Sequence, residues 1–126
     1  MDLGLAGKHA LITGSTAGIG YAIARGLAAE GASVVITGRG QAGVDDALKR
    51  LKEAVPEAKA VGIAEDCATA AGAQAVFAKL PAVDILVNNL GIYERKPAFE
   101  IEDAEWQRFF EVNVMSGVRF TRHYAP

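Results

Sequence analysis

The residues best suited to chemistry begin with Leu11-Ile12-Thr13-Gly14-Ser15-Thr16-Ala17-Gly18-Ile19-Gly20, where an apolar run passes through three glycines into a strongly helical segment. Glycine lets the main chain approach a ligand closely and take dihedrals that a β-carbon disfavours. The helix that follows opens with N–H groups lacking internal partners and with the positive end of its dipole. Such a loop is built to hold an anion, above all a pyrophosphate. The spacing is Gly-x-x-x-Gly-x-Gly, distinct from the Gly-x-Gly-x-x-Gly of the common dinucleotide fingerprint. Taken alone, the three glycines also fit ordinary turns of an α/β protein.

A second run, Asp84-Ile85-Leu86-Val87-Asn88-Asn89-Leu90-Gly91, and a lone Asn113 in Phe109-Phe110-Glu111-Val112-Asn113-Val114 complete the pattern. Thr13 to Gly20 resembles the cofactor loop of the short-chain dehydrogenase/reductase family. Asn88 to Gly91 resembles that family's Asn-Asn-Ala-Gly element at the end of the fourth strand, with Leu90 in place of alanine, and Asn113 falls where the family places its catalytic asparagine. The resemblance covers essentially the whole chain. It implies an α/β fold, the NAD(P)-binding Rossmann type with a doubly wound parallel sheet. It also implies an oxidoreductase moving a hydride between a nicotinamide and a small alcohol or ketone, 3-oxoacyl compounds among the candidates.

The same resemblance assigns roles. Gly14, Ser15, Thr16, Ala17, Gly18, Ile19 and Gly20 would hold the diphosphate and adenosine ribose, with the Ser15 and Thr16 hydroxyls adding donors. Strand 2 ends Thr37-Gly38-Arg39, without the carboxylate that accepts from a ribose 2′-hydroxyl, and Arg39 can fork onto a 2′-phosphate. NADP(H) is therefore the preferred cofactor. NAD(H) stays open, because Ala17 is not the basic residue that some NADP-specific relatives carry in the loop. Asp66 would accept from the adenine amino group while the Cys67 amide donates to the ring; Asp66 also suits a cap for a helix starting near Ala68. One asparagine of the Asn88-Asn89 pair would tie strand 4 to the glycine loop, and the Asn89 backbone would meet the adenosine ribose. Leu90 either narrows the crevice or fills a void, and Gly91 closes the element. Asn113 would distort its helix and hold a water in a proton relay, and its apolar neighbours imply a buried amide that must find partners. Tyr93, Glu94 and Arg95 suit substrate contact or a wet loop equally.

The elements that must position these groups alternate. Ala10 to Thr13, Ser33 to Thr37, Ala60 to Ala64 and Val83 to Asn88 read as strands, separated by helical patterns over Ile19 to Glu30, Val44 to Val55 and Ala68 to Lys79. Crossovers this long imply parallel strands with helices on both faces. Gly31 reads as a left-handed cap that ends the first helix. Ile101 to Tyr124 reads as one helix with Asp103 as its cap, apolar around much of its circumference and hence buried on more than one side. The resemblance implies that this helix pairs subunits in a homodimer or homotetramer.

Bulk properties narrow the field. In 126 residues, 51% are hydrophobic and 22% charged, with a formal charge of −2. That balance supplies no basic face for nucleic acid. Cys67 is the one cysteine, and His9 and His123 lie far apart, so neither a disulfide nor a metal-ligand spacing appears. No apolar run suits a membrane span and no signal peptide is evident, which implies a cytoplasmic location. The family's catalytic serine and Tyr-x-x-x-Lys pair are not among these residues: Tyr21 is followed by Arg25 and Tyr93 by Pro97. Strand 4 would then form an open sheet edge. Both points lead to the expectation that residues 1–126 are the N-terminal part of a single Rossmann domain, strands 1–4 of the usual seven. Two competing readings are a nucleotide-binding half-domain without chemistry and an assembly or regulatory subunit.

Overall fold

The computed structural model describes residues 1–126. Four strands, β1 (His9–Ile12), β2 (Ser33–Gly38), β3 (Lys59–Ala64) and β4 (Ile85–Val87), form one parallel sheet in the order β3-β2-β1-β4. Helices α1 (Gly18–Ala29), α2 (Gln41–Ala54) and α3 (Ala70–Lys79) make the crossovers. The chain winds outward from β1 through β2 to β3, then returns to the other side of β1. This reversal opens a crevice at the carboxyl ends of β1 and β4, where open α/β sheets bind ligands.

Period-two alternation sorts the apolar residues into two cores. Ala10, Ile12, Val34 and Ile36 pack with Ala24 and Ala28 of α1 and Ala47 and Leu51 of α2. Leu11, Val35 and Ile63 face the other way, against Val76 and Phe77 of α3 and the fully buried Phe120. Apolar side chains on both faces of β1 and β2 are what a central parallel strand requires. Gly31, at φ +95°, ends the first helix as expected, with its N–H donating to Ala28.

Four expectations change. Asp66 does not cap α3: Thr69 does, its Oγ1 accepting from Gly72 N at 2.9 Å, while Asp66 Oδ1 accepts from Ala68 N at 3.0 Å in the turn before it. Asp103 is not a cap either, since Glu102 holds that position without a side-chain bond. The single helix over 101–124 is instead α4 (Asp103–Phe110), a π-helical turn at Glu111–Met115, and α5 (Ser116–Tyr124). A local cause is visible: Ser116 Oγ donates to the Val112 carbonyl at 2.6 Å, occupying an acceptor of the helical ladder. Nor is the segment buried on several sides. Only Ser116 and Phe120 are buried, because nothing else in the chain covers it. No helix is long and apolar enough to cross a membrane.

Candidate functional site

The crevice between the carboxyl ends of the strands encloses about 530 Å³, within the range of small-molecule sites. Gly14, Thr16 and Ala17 form one wall, Gly38 and Arg39 the end of β2, Asp66 and Cys67 the turn after β3, and Leu90 and Gly91 the turn after β4. Residues distant in sequence therefore converge as the motifs implied.

Gly14 and Gly18 adopt φ of +62° and +59°, the left-handed region that favours glycine. Gly20 is required for a different reason. A Cβ there would collide with the Gly14 carbonyl oxygen and Asn89 Nδ2, so glycine allows the first turn of α1 to sit directly on the loop. No side chain caps α1 and no acidic residue lies in its first turn. Its orphan amides and dipole are thus available to an anion. Ile19, 75% exposed, stands outward at this helix end.

The crevice floor is a closed set of hydroxyl bonds. Ser15 Oγ donates to Ile12 O at 2.7 Å and accepts from Thr37 N at 2.9 Å; Thr37 Oγ1 also donates to Ile12 O and accepts from Gly14 N. Ser15 and Thr37 are fully buried. This corrects one expectation: the Ser15 hydroxyl is committed to joining β1 to β2 and is not a donor toward the crevice, whereas Thr16 does line it. Thr37, two residues before Arg39, is a functional residue that the motifs do not mark. A threonine at a strand end carries no signal of which neighbouring loop it will bond.

Thr13 performs the same service on the other flank. Its Oγ1 accepts from Asn89 N at 3.1 Å and Leu90 N at 3.0 Å, while Asn89 Nδ2 donates to the carbonyls of Thr13 and Gly14. Asn89 is therefore the asparagine that ties β4 to the glycine loop. Asn88 turns away to donate to Thr121 Oγ1. Leu90 packs against the second core and against Gly14, so its extra bulk fills space behind the crevice wall as well as lining it.

Asn113 lies in the π-helical turn. Its Oδ1 accepts from Ile92 N at 2.7 Å and its Nδ2 donates to Ile92 O at 3.0 Å. The side chain is exposed, not buried, and meets its bonding needs through the main chain of Ile92, a residue with no polar side chain to mark it. Arg108, Glu111 and Val112 of the same segment border the crevice, and Tyr93 is 87% exposed in the loop beyond Gly91. Arg39 is exposed and enters none of the ion pairs. Cys67 contributes backbone to the wall while its side chain, 3% exposed, is buried in the second core, where desolvation pushes the thiol up to about 11.

Comparison with known proteins agrees with this geometry. Residues 8–126 match the family model described as short chain dehydrogenase. An uncharacterized oxidoreductase of Bacillus subtilis, YvaG, is 54% identical over 124 residues, which is 98% of this chain and 47% of that protein. The L-sorbose reductase of Gluconobacter frateurii, solved with NADPH and L-sorbose, superposes with a TM-score of 0.89 at 39% identity, over 100% of this chain and 49% of its own. A 7α-hydroxysteroid dehydrogenase solved with NADH and 7-oxo glycochenodeoxycholic acid gives 0.82 at 35% identity, over 97% and 48%. The chain spans about half the length of the curated relatives it matches. With the family model matched over residues 8–126 and a relative 54% identical over 98% of it, the chain belongs to the short-chain dehydrogenase family.

Proposed function

We propose that residues 1–126 are the N-terminal part of a single NAD(P)-binding domain, and that the protein carrying them is an NADP(H)-dependent oxidoreductase acting on a small alcohol or ketone. The observation that carries this reading is an uncapped helix N-terminus, approached through two left-handed glycines, at the point where the strand order reverses. The bound nicotinamide would supply or accept the hydride. The amides of residues 14–20 would hold the diphosphate, with Thr16 adding a hydroxyl and the Ala17 and Ile19 positions serving through backbone. The free Oδ2 of Asp66 and the Cys67 amide would orient the adenine, and the Asn89 to Gly91 backbone would border the ribose and nicotinamide side.

Arg39 would discriminate between cofactors. A guanidinium forked onto a 2′-phosphate contributes roughly 1.5–3 kcal/mol, ten- to a hundredfold in affinity. Asn113 would act within the proton relay. Its amide pins Ile92 to the π-helical turn, a local geometry frequent at functional sites, and so fixes where that turn can hold a water. Substrate class, 3-oxoacyl or otherwise, would be set outside these residues.

Four exposed apolar residues at a spacing of four, Trp106, Phe110, Val114 and Val118, form a stripe along α4, the π-helical turn and α5. We read it as the face that pairs subunits in a homodimer or homotetramer.

Titration of the full-length protein with NADPH and NADH by cofactor fluorescence and calorimetry tests the reading, with oxidation and reduction assays across sugar alcohols, ketoses and hydroxysteroids. NADPH binding at least tenfold tighter than NADH, abolished as a preference in Arg39→Asp, is the expected result. Neither fluorescence change nor heat would end the assignment, and binding without turnover across every class tried would favour a nucleotide-binding module.

A further inference from the structure

Arg50 lies on α2, remote in sequence from the glycine loop, yet it joins three elements. Its Nη2 donates to the Thr16 carbonyl at 2.5 Å, its Nε donates to the Asp46 carboxylate at 2.9 Å, and its guanidinium carbon stands 4.5 Å from the centre of the Tyr21 ring on α1. A guanidinium is planar with donors in fixed directions, so contacts to one face and to Nε and Nη2 set its orientation.

The consequence runs through one peptide unit. No cis peptide occurs in the chain, and in a trans peptide the C=O and N–H point to opposite sides. With the Thr16 carbonyl drawn toward Arg50, the Ala17 N–H points the other way. Thr16 and Ala17 both border the crevice, while Arg50, Asp46 and Tyr21 do not. Ala17 is extended, at φ −157° and ψ 175°, and gives α1 no side-chain cap, so this amide stands in line with the orphan amides of the helix.

We propose that Arg50 is a positioning residue for cofactor binding: it holds the Thr16–Ala17 peptide with its donor toward the crevice and its carbonyl away from the anion. Released from Arg50, this peptide can rotate and set a carbonyl dipole against the phosphates. The proposal rests on the nucleotide-binding reading and differs from the role of Arg39. Arg39 acts on the one phosphate that distinguishes the two cofactors; Arg50 acts on the loop that meets the diphosphate common to both. Removing Arg50 therefore weakens NADPH and NADH by the same factor.

The test uses the full-length protein with Arg50→Met, which keeps a stem over Tyr21 but no donor, and Arg50→Lys, which keeps one. For Arg50→Met the expected result is a roughly tenfold rise in both dissociation constants, the size of one lost charge-assisted bond, with the NADPH-to-NADH ratio unchanged. Arg50→Lys should fall between it and wild type. Wild-type affinities in a folded Arg50→Met, a change in the cofactor ratio, or no recovery with lysine would each overturn the proposal. Should Arg50→Met fail to fold, Arg50→Lys decides alone: an equal rise of about threefold for both cofactors is expected from the weaker single bond, and unchanged constants overturn it. If the wild-type protein binds neither cofactor, the nucleotide-binding reading itself fails, and that outcome is distinct from the others.

Discussion

The carboxyl ends of β1 and β2 and the segment from α4 to α5 border the same crevice under opposite rules. In the first region Thr13, Ser15 and Thr37 are at most 2% exposed, and each hydroxyl is bonded to a neighbouring strand end or loop. In the second, Trp106 and Phe110 are 60% and 55% exposed and the helix is interrupted by a π-helical turn. One wall is fixed by the chain's own bonds before any ligand arrives. The other is held to the body through the Asn113–Ile92, Asn88–Thr121, Arg119–Ala68 and Tyr124–Leu80 bonds and the buried Phe120. A set of donors and acceptors fixed in place thus faces a wall that leaves large apolar side chains in water.

The bonded wall is most vulnerable at Gly20. Alanine there forces a Cβ into the Gly14 carbonyl and Asn89 Nδ2, both parts of the rigid wall, so Gly20→Ala should cost about 3 kcal/mol or more. A urea midpoint within the equivalent of 1 kcal/mol of wild type would show that this wall yields.

Alkaline pH probes the second core, where Cys67 packs with Phe120 and Tyr124. Burial raises the Cys67 thiol from 9.0 to about 11, and Tyr124, half-buried nearby, moves upward for the same reason. The folded protein thus keeps its thiol proton at a pH where the unfolded chain has lost it. The free energy of unfolding should be fully present below about pH 9 and fall by about 2–3 kcal/mol as the pH climbs to about 11. Unfolding curves of Cys67→Ala should show a shallower decline, and equal slopes would contradict the assignment.

Thr13→Val keeps the shape of the side chain but leaves Asn89 N and Leu90 N without their acceptor. A loss of about 2 kcal/mol, with weaker binding of both cofactors, is the expected outcome in thermal melts and titrations. The smallest effect on stability belongs to the other wall. Val114→Glu should alter the free energy of the isolated subunit by less than about 0.5 kcal/mol while shifting its sedimentation toward monomer. An unaltered oligomer would detach the stripe from subunit pairing.

The two walls also differ in how far they can be read from residue types. Gly14, Gly18 and Gly20 declare a backbone demand that glycine alone meets well, and the βα alternation fixes where that demand falls in the sheet. Both therefore survive the passage from sequence to structure intact. Ser15 departs from expectation because a hydroxyl in a loop is equally able to face a ligand or an adjoining strand end, and only the adjacency of β1 and β2 decides. Asp66 and Thr69 compete for one helix start three residues apart, and the choice rests on loop geometry that no local pattern encodes. The helix distortion that the family resemblance implies at Asn113 is the π-helical turn, which residue types alone do not show. It adds a residue to one turn without changing which side chains are apolar, so helical periodicity shows at most a small drift. Arg50 joins elements that only the folded α2 brings together.

Trp106 is the single tryptophan of the chain and stands on the apolar stripe, away from the bonded floor. Its indole emission is therefore an intrinsic optical gauge of hydration on that face. A blue shift on raising the protein concentration would register the loss of surrounding water as surfaces meet, without any dye or label attached.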